Sequence, residues 1–299
     1  MKSGQLFWGF FLLTLGALFL LTKYDILYTS FDFVYNIWPF IFVFWGALVI
    51  FKNSLVRPVI SAVFGIFLAM LIFGFIYNSV CDIDFTDHDG VYSEYYNEDY
   101  DSSIKNANLE INSGAGTFIL GETSEKLVEG KTKGNIAEYD FETWKDEDRV
   151  NVRFDLHKRN FNFFGGKFRN YLKVNLNENP IWDIRLNYGA SKANLDLSKF
   201  KIRNLELHSG ATSTYVKLGD KIEEMTNVNV EMGAANITID VPTNVGCEIQ
   251  SDMALSSKNI HGFKSQGKGH YLTENFSDSG KRIIIDVKAG VSSLTVNRY

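Results

Sequence analysis

The stretch LELHSGATSTYVKL, from Leu205 to Leu218, decides the fold, because the chain repeats its pattern several times. Apolar residues alternate before the small pair Gly210 and Ala211, as at Leu205 and Leu207, and they alternate again after it. A two-residue period places every second side chain on one buried face of a strand. The stretch therefore predicts a strand, a small-residue corner and a second strand.

Four further copies of this pattern occupy residues 109–120, 184–197, 228–239 and 285–296. Gly189, Gly210 and Gly233 are separated by 21 and 23 residues, a spacing typical of stacked arrays in which neighbouring repeats share one core. Glycine suits the corner because it lets adjacent backbones approach closely. We expect a packing role for the corner residues, which are Gly114, Ala115, Gly189, Ala190, Gly210, Ala211, Gly233, Ala234 and, in reversed order, Ala289 and Gly290.

Three apolar runs without Asp, Glu, Lys or Arg precede the repeats: Leu6 to Leu21, Phe33 to Phe51 and Pro58 to Tyr77. About 17 to 25 apolar residues in a helix cross a bilayer core, so we predict three transmembrane helices in contact with lipid. A secretory signal peptide is the alternative for the first run. It fits poorly, because no small-residue cleavage site follows and two more runs come after it.

The basic residues that flank these runs predict the topology. Lys2, Lys52 and Arg57 lie on one side of the membrane in a three-span arrangement, and Lys23 lies on the other. Positive charge favours the cytoplasmic side, so we expect a multi-pass protein of the cytoplasmic membrane whose C-terminal domain is extracytoplasmic. Because three basic residues on one side face one on the other, the difference is small, and a cytoplasmic C-terminal domain remains the alternative.

Small residues on the predicted helices suggest where helices pack. Gly9 and Gly16 lie on one helical face, and Gly65 and Ala69 form a small-xxx-small pair. Such faces allow close helix contacts within a chain, with a second copy or with a partner, although glycine is also simply common in membrane helices.

The segment between the two parts is strongly acidic. Residues 81–101 carry eight carboxylates, and Asp82, Asp84, Asp87 and Asp89 would be suitable metal ligands. Their spacing does not match an EF-hand loop, so we favour a solvated spacer without metal. The predicted organisation is a transmembrane domain over 1–80, an acidic linker over 81–104 and an all-β repeat domain over 105–299.

One segment, Val152 to Leu176, interrupts the repeats. It is predicted to form a hairpin of two strands around Gly165 and Gly166, with one buried and one solvated face. Its mixture of basic and aromatic residues is alternatively a contact surface for an anionic membrane, a glycan or a partner. The candidate contact residues are Lys158, Arg159, Phe161, Phe163, Phe164, Lys167, Phe168 and Arg169.

No catalytic, cofactor or metal motif is found. The five histidines are isolated from one another, two cysteines are too few for a zinc site, and Gly114 and Gly116 precede a strand instead of the helix that a phosphate loop requires. Asp196, Glu206, Asp240 and Asp286 show no common groove in the sequence. Charge in the repeat region is balanced, which argues against nucleic acid. We predict no enzyme and no cofactor.

Two stretches resemble a known family. NIWPFIFVFWGALVIF is similar to the LiaI/LiaF-type transmembrane region of bacterial envelope-stress proteins. The repeats, together with Asn179, Pro180 and Trp182, resemble the toastrack-type C-terminal domain of LiaF-like cell-wall-active antibiotic response proteins. The fold class predicted is thus three transmembrane helices followed by an all-β stacked array, toastrack-like or β-solenoid-like.

The resemblance implies a non-catalytic regulator that tunes a membrane histidine kinase of a two-component system responding to envelope damage. The chain has three predicted spans where better-known members have four. The alternative is a membrane-tethered structural or adhesive scaffold that binds itself or a surface polymer, because exposed ends of stacked arrays can associate.

Overall fold

The computed structural model describes residues 3–23, 37–80, 94–134, 137–146, 148–157 and 170–299. Its helices and its strands belong to two separate compact units, which are considered in turn. The acidic positions 82–89, Cys81 and His88 lie outside the described residues, as do the candidate contact residues of 158–169.

The helical unit contains α1 (Ser3–Lys23), α2 (Phe40–Ile50) and α3 (Arg57–Val80). The stretches Ser3–Leu21 and Arg57–Gly74 are long and apolar enough to cross a membrane. Helix α2 has 11 residues, which is about 16 Å and roughly half of a bilayer core. Two of the three predicted spans thus have a helix of sufficient length, and the second span stays a prediction.

Strands make up the second unit, and in the described part of the chain they form one connected sheet system. They are β1 (Glu94–Glu98), β2 (Asn106–Asn112), β3 (Gly116–Thr123), β4 (Val128–Lys133), β5 (Tyr139–Asp146), β6 (Arg149–Leu156), β7 (Tyr171–Leu176), β8 (Ile181–Asp196), β9 (Lys201–Lys217), β10 (Met225–Val241), β11 (Gly246–Ile260), β12 (Lys264–Gly267), β13 (His270–Leu272) and β14 (Arg282–Arg298).

Five long strands, β8, β9, β10, β11 and β14, each bend at a corner near their middle. In β8 the even positions 182–188 are buried before the corner, and the odd positions 191–195 are buried after it. Two consecutive outward residues, Gly189 and Ala190, cause this change of phase. Both halves of the strand therefore direct their apolar side chains to the same interior.

Each bent strand is one rung, and the rungs stack side by side in parallel register. Only residues 197–200 separate β8 from β9, so the two halves of a rung must fold back toward each other. The first halves form one sheet, in the order β5-β6-β2-β8-β9-β10-β14-β11-β13-β12. The second halves form the other, in the order β1-β4-β7-β3-β8-β9-β10-β14-β11. The all-β stacked prediction is confirmed in this form.

The core lies between these two sheets and extends through every rung. Trp182 is fully buried, and its indole N–H donates to the carbonyl oxygen of Asn177 at 2.8 Å. At one end of the stack the rings of Tyr96, Phe141 and Phe154 meet, with centroids 4.9–5.7 Å apart, and close the interior. Burial of this alternating apolar face is the main stabilising term, as in other stacked arrays.

The hairpin predicted over 152–176 is wrong. Strand β6 pairs with β2 and β5, whereas β7 pairs with β3 and β4. The two strands are the two halves of one further rung that lies beside β2 and β3. Alternation in the sequence indicates which face of a strand is buried, but it does not specify the strand's partner.

Two other expectations differ from the structure. Strand β14, the last predicted copy, lies between β10 and β11, so the rungs do not follow chain order at that end. Residues 94–98, placed in the linker by their acidity, form the edge strand β1 on β4. Tyr96 packs against the core, and this apolar contact outweighs the local charge.

Candidate interaction surfaces

The corner glycines form a column across the stack. The Gly189 N–H donates to Gly114 O at 2.8 Å. A Cβ atom on Gly210 would lie 3.1 Å from Gly189 O, one on Gly233 would lie 2.7 Å from Gly210 O, and one on Gly290 would lie 2.8 Å from Gly233 O. Gly210, Gly233 and Gly290 therefore contact the backbone of the neighbouring corner, which leaves little or no room for a side chain there. The column makes close stacking possible and holds no reactive group.

Register also explains the reversed pair in the last copy. Ala289 lies opposite Met232, and Val291 lies opposite Ala234, so Gly290 keeps its place in the column. In β11, Met253 lies opposite Ala289. Ala254 therefore takes the place in the column that Gly290 has in β14. The corner pattern did not predict β11 as a rung, because β11 has no corner glycine. The alternating buried positions Cys247, Ile249 and Ser251 are the signal in the sequence that could have predicted it.

Beneath the corner lies a buried cluster of hydroxyl groups. Ser191 Oγ is 3.0 Å from Thr212 Oγ1, which is 2.8 Å from Thr214 Oγ1, and the Tyr188 hydroxyl is 3.2 Å from Thr214 Oγ1. Burial raises the pKa of Tyr188 to about 12. These hydroxyls satisfy each other's hydrogen bonds in a region that water does not reach, so the cluster is structural.

The outer face of the first sheet carries rows of paired polar side chains. Arg153 Nε donates to Glu110 Oε2 at 3.2 Å, and Arg185 Nε donates to Glu206 Oε2 at 2.6 Å. Arg185, Glu206 and Asn229 lie side by side in one of these rows. They are separated by 21 and 23 residues, as the corner glycines are. Cross-strand pairs of this kind stabilise a sheet by a few tenths of a kcal/mol to about 1 kcal/mol each.

A shallow cleft of about 240 Å³ interrupts these rows, and Glu206, His208, Glu231, Asp286 and Lys288 are among its lining residues. The sequence showed no common groove for its acidic candidates, yet the structure brings Glu206 and Asp286 to this one. The His208 ring lies 3.4 Å from Glu231 and 3.9 Å from Glu206. A more open depression of about 550 Å³ adjoins it.

One carboxylate of this cleft is held in its ionised form. The hydrogen bond from Arg185 holds the pKa of Glu206 below its ordinary value, so this carboxylate stays ionised and does not act as a general acid. Among the described residues no group of three or more His, Cys, Asp or Glu side chains is arranged to hold a metal ion.

The other histidines and the described cysteine lie apart from this cleft and from one another. Within the described ranges, His157 contacts Asp140, His261 contacts Asn297 and His270 contacts Glu248. Cys247 is fully buried and unpaired, and burial raises the pKa of its thiol to about 12. Such a thiol is inert at neutral pH.

The candidate contact residues of 158–169 lie outside the described residues, but the positions at which this segment leaves and rejoins the domain are described. Strand β6 ends and β7 begins at the corner edge. Asn170 anchors the second position, since its Nδ2 donates to Ser113 Oγ and to Ala115 O, both at 3.0 Å. Leu156 and Tyr171 therefore lie where the other rungs have their small corner.

Helix packing uses one of the two predicted small-residue faces. A Cβ atom on Gly65 of α3 would lie 2.5 Å from Phe7 O of α1, and Ala69 is fully buried. Apart from the neighbouring residues and backbone of α1 itself, no heavy atom of the described residues lies within 4 Å of a Cβ position on Gly9 or Gly16. That second face is therefore not used between α1 and α3.

Comparison with known families assigns both units. Residues 86–240, just over half of the chain, match the N-terminal domain of toast_rack. The chain belongs to the toast_rack family. Residues 7–85 match the LiaF transmembrane domain, which agrees with the apolar character of the helices preceding the toast_rack domain. The predicted resemblance is confirmed.

A solved structure shares the fold of the β-strand unit. A candidate cell adhesion protein from Clostridium sporogenes is 22% identical with a TM-score of 0.64, over 69% of this chain and 98% of its own. A candidate adhesin from Bacteroides fragilis is 11% identical with a TM-score of 0.24, over 70% of this chain and 100% of its own. The first similarity concerns the fold alone, and the second is too low to carry an argument. No curated protein matches the chain.

Proposed function

We propose that this protein is a non-catalytic membrane regulator of bacterial envelope-stress signalling that modulates a two-component histidine kinase. The observation that carries the proposal is the presence of a LiaF transmembrane domain and a toast_rack domain on one chain. In the described residues the polar rows and the corner column stabilise a sheet stack, which is consistent with a domain that acts through its surface.

In the proposed mechanism the helices hold the kinase in its inactive state, and the toast_rack domain senses the envelope. Large apolar side chains on α2 remain exposed, with Trp45 at 61% and Val49 at 66%, and these would meet lipid or a partner helix. An envelope perturbation changes the kinase only if it binds or strains one of two states in preference to the other.

A genetic experiment tests this function. Deleting the gene should raise the basal transcription of envelope-stress genes and blunt the further response to a cell-wall antibiotic. The wild-type gene should restore both, and a gene encoding only the helices should not restore the response. Unchanged transcription in the deletion strain would reject the regulator.

Topology is a separate part of the proposal. We expect three spans and an extracytoplasmic toast_rack domain, from the distribution of Lys2, Lys23, Lys52 and Arg57. Protease added to intact spheroplasts should then digest the domain. Protection until the membrane is permeabilised would place it in the cytoplasm.

A second candidate function is adhesion or self-assembly. The structural match named as a candidate cell adhesion protein favours it, as do the edge strands at the ends of the stack. Cross-linking in cells distinguishes the two: recovery of a histidine kinase supports the regulator, and recovery of self-assemblies alone supports the scaffold.

A further inference from the structure

The two clefts on the outer face of the first sheet form one continuous groove. Side chains of β9, β10 and β14 line the smaller cleft, and the more open depression is lined from β2, β8, β9 and β10. Both include His208 and Glu231, so the two join at these residues. The groove crosses five neighbouring strands in the order β2-β8-β9-β10-β14, about 19 Å at the usual strand spacing. A groove of this length fits an extended chain better than a single small molecule.

Most polar side chains of this groove hold one another in place. Glu231 lies 3.4 Å from the His208 ring and 3.5 Å from the Lys288 ammonium group. At the other end, Asn187 Nδ2 donates to Asn112 Oδ1 at 2.7 Å. These contacts restrict the side chains before a ligand arrives, which lowers the entropy cost of ordering them on binding.

Two side chains of the groove have no partner among the described residues. Asn229 of β10 and Asp286 of β14 are register neighbours, and both line the smaller cleft. In the part of the chain that the structure describes, neither makes a hydrogen bond or an ion pair. They place a carboxylate, which accepts hydrogen bonds, beside a primary amide, which both donates and accepts. Such a pair matches two neighbouring hydroxyl groups, one donating to Asp286 and the other bonded to Asn229.

The charges along the groove disfavour a charged ligand. Arg185 pairs with Glu206, and Lys288 pairs with Glu231. A polyanion would be repelled by the carboxylates, whereas a polycation would have to compete with these two basic residues for them. Asn and Ser side chains line much of the rest. A mixture of donors and acceptors suits an uncharged ligand rich in hydroxyl groups, because each hydroxyl donates one hydrogen bond and accepts two.

We propose that this groove binds an uncharged linear polysaccharide, and that Asn229 and Asp286 recognise its hydroxyl groups. The rungs repeat at about 4.8 Å, which is close to the length of one sugar unit, so successive units lie over successive strands. Each strand then offers polar side chains to one unit of the chain. The inference rests on the groove alone and depends neither on regulation of a kinase nor on self-assembly, which the deletion and cross-linking experiments test separately.

Calorimetric titration of the full-length protein in lipid nanodiscs tests the proposal, with empty nanodiscs as the blank. The probes are linear, uncharged hexasaccharides of glucose, galactose, mannose or N-acetylglucosamine. At least one should bind, and its monosaccharide should bind at least about tenfold more weakly, because it lacks the hydrogen bonds of the other units. Hexagalacturonate and hexalysine, the charged comparisons, should bind more weakly than the best uncharged chain. Failure of all four hexasaccharides to bind, equal affinity for a monosaccharide, or tighter binding of a charged chain overturns the proposal.

Substitutions locate the site. Asn229→Ala with Asp286→Ala should lower the affinity for the best hexasaccharide by at least about tenfold. Asn259→Ala with Asp278→Ala removes the same two kinds of side chain from exposed positions outside the groove and should leave the affinity unchanged. Asp286→Asn, which keeps the size of the residue, should have a smaller effect than the double substitution. Circular dichroism confirms folding of each variant. Equal affinities of the two double variants would overturn the assignment of the site. The comparisons of chain length and charge need no substitution, so a variant that fails to fold leaves them decisive.

Discussion

Substitution of one corner glycine tests the packing argument most directly. In Gly233→Ala the new Cβ would lie 2.7 Å from the carbonyl oxygen of Gly210, and a backbone atom in a sheet cannot move aside alone. Overpacking of this kind costs about 1–3 kcal/mol. Gly233 does not have a positive φ, so alanine fits its backbone and regains about 0.4–1 kcal/mol by restricting the unfolded chain. The net destabilisation is about 1–2 kcal/mol.

Gly189→Ala is the matched control, because its Cβ would lie 3.4 Å from Gly114 O, an ordinary contact. It has the same unfolded-state gain without the clash, so its stability should be unchanged or slightly higher. Thermal unfolding followed by circular dichroism should show the melting temperature of Gly233→Ala lowered by about 2–8 °C, given about 2–4 °C per kcal/mol for a domain of this size. Equal melting temperatures for the two variants would refute the argument that the column is limited by backbone contact.

Three other predictions concern different parts of the molecule. Gly65→Ala should weaken the α1–α3 contact and lower thermal stability in detergent, whereas Gly9→Ala, with open space at its Cβ position, should not; equal effects would contradict the assigned helix face. Trp182→Phe removes a buried hydrogen bond and should cost about 1–3 kcal/mol in urea unfolding, and an unchanged unfolding midpoint would count against it. Glu206→Gln tests the pair with Arg185. The folded pKa of Glu206 is lowered from 4.5, so its contribution is present above pH 4.5 and is lost as the pH falls through the folded pKa. With the exposed Arg185 discounted for solvent screening, the difference in unfolding free energy should be about 0.5 kcal/mol at neutral pH and vanish in acid; a difference that grows in acid would reverse the assignment.

Local pattern was sufficient for the repeating unit. Alternation around Gly189, Gly210 and Gly233 predicted the strands, their buried faces and the small corner, because those properties depend on residues close together in the chain. The apolar runs likewise predicted helices. By contrast, the acidity of residues 94–98 indicated a linker, whereas Tyr96 packs against the core and places these residues in an edge strand.

Partner choice was decided by the tertiary structure. The same alternation in β6 and β7 fits a hairpin or two halves of a rung, and only the pairing with β2 and β3 distinguishes them. The place of β14 between β10 and β11 is likewise absent from the sequence pattern, since a strand's period carries no record of its neighbour. The cleft lined by Glu206, His208 and Asp286 arises in the same way. It joins residues of strands far apart in the chain, which become neighbours only when the rungs stack.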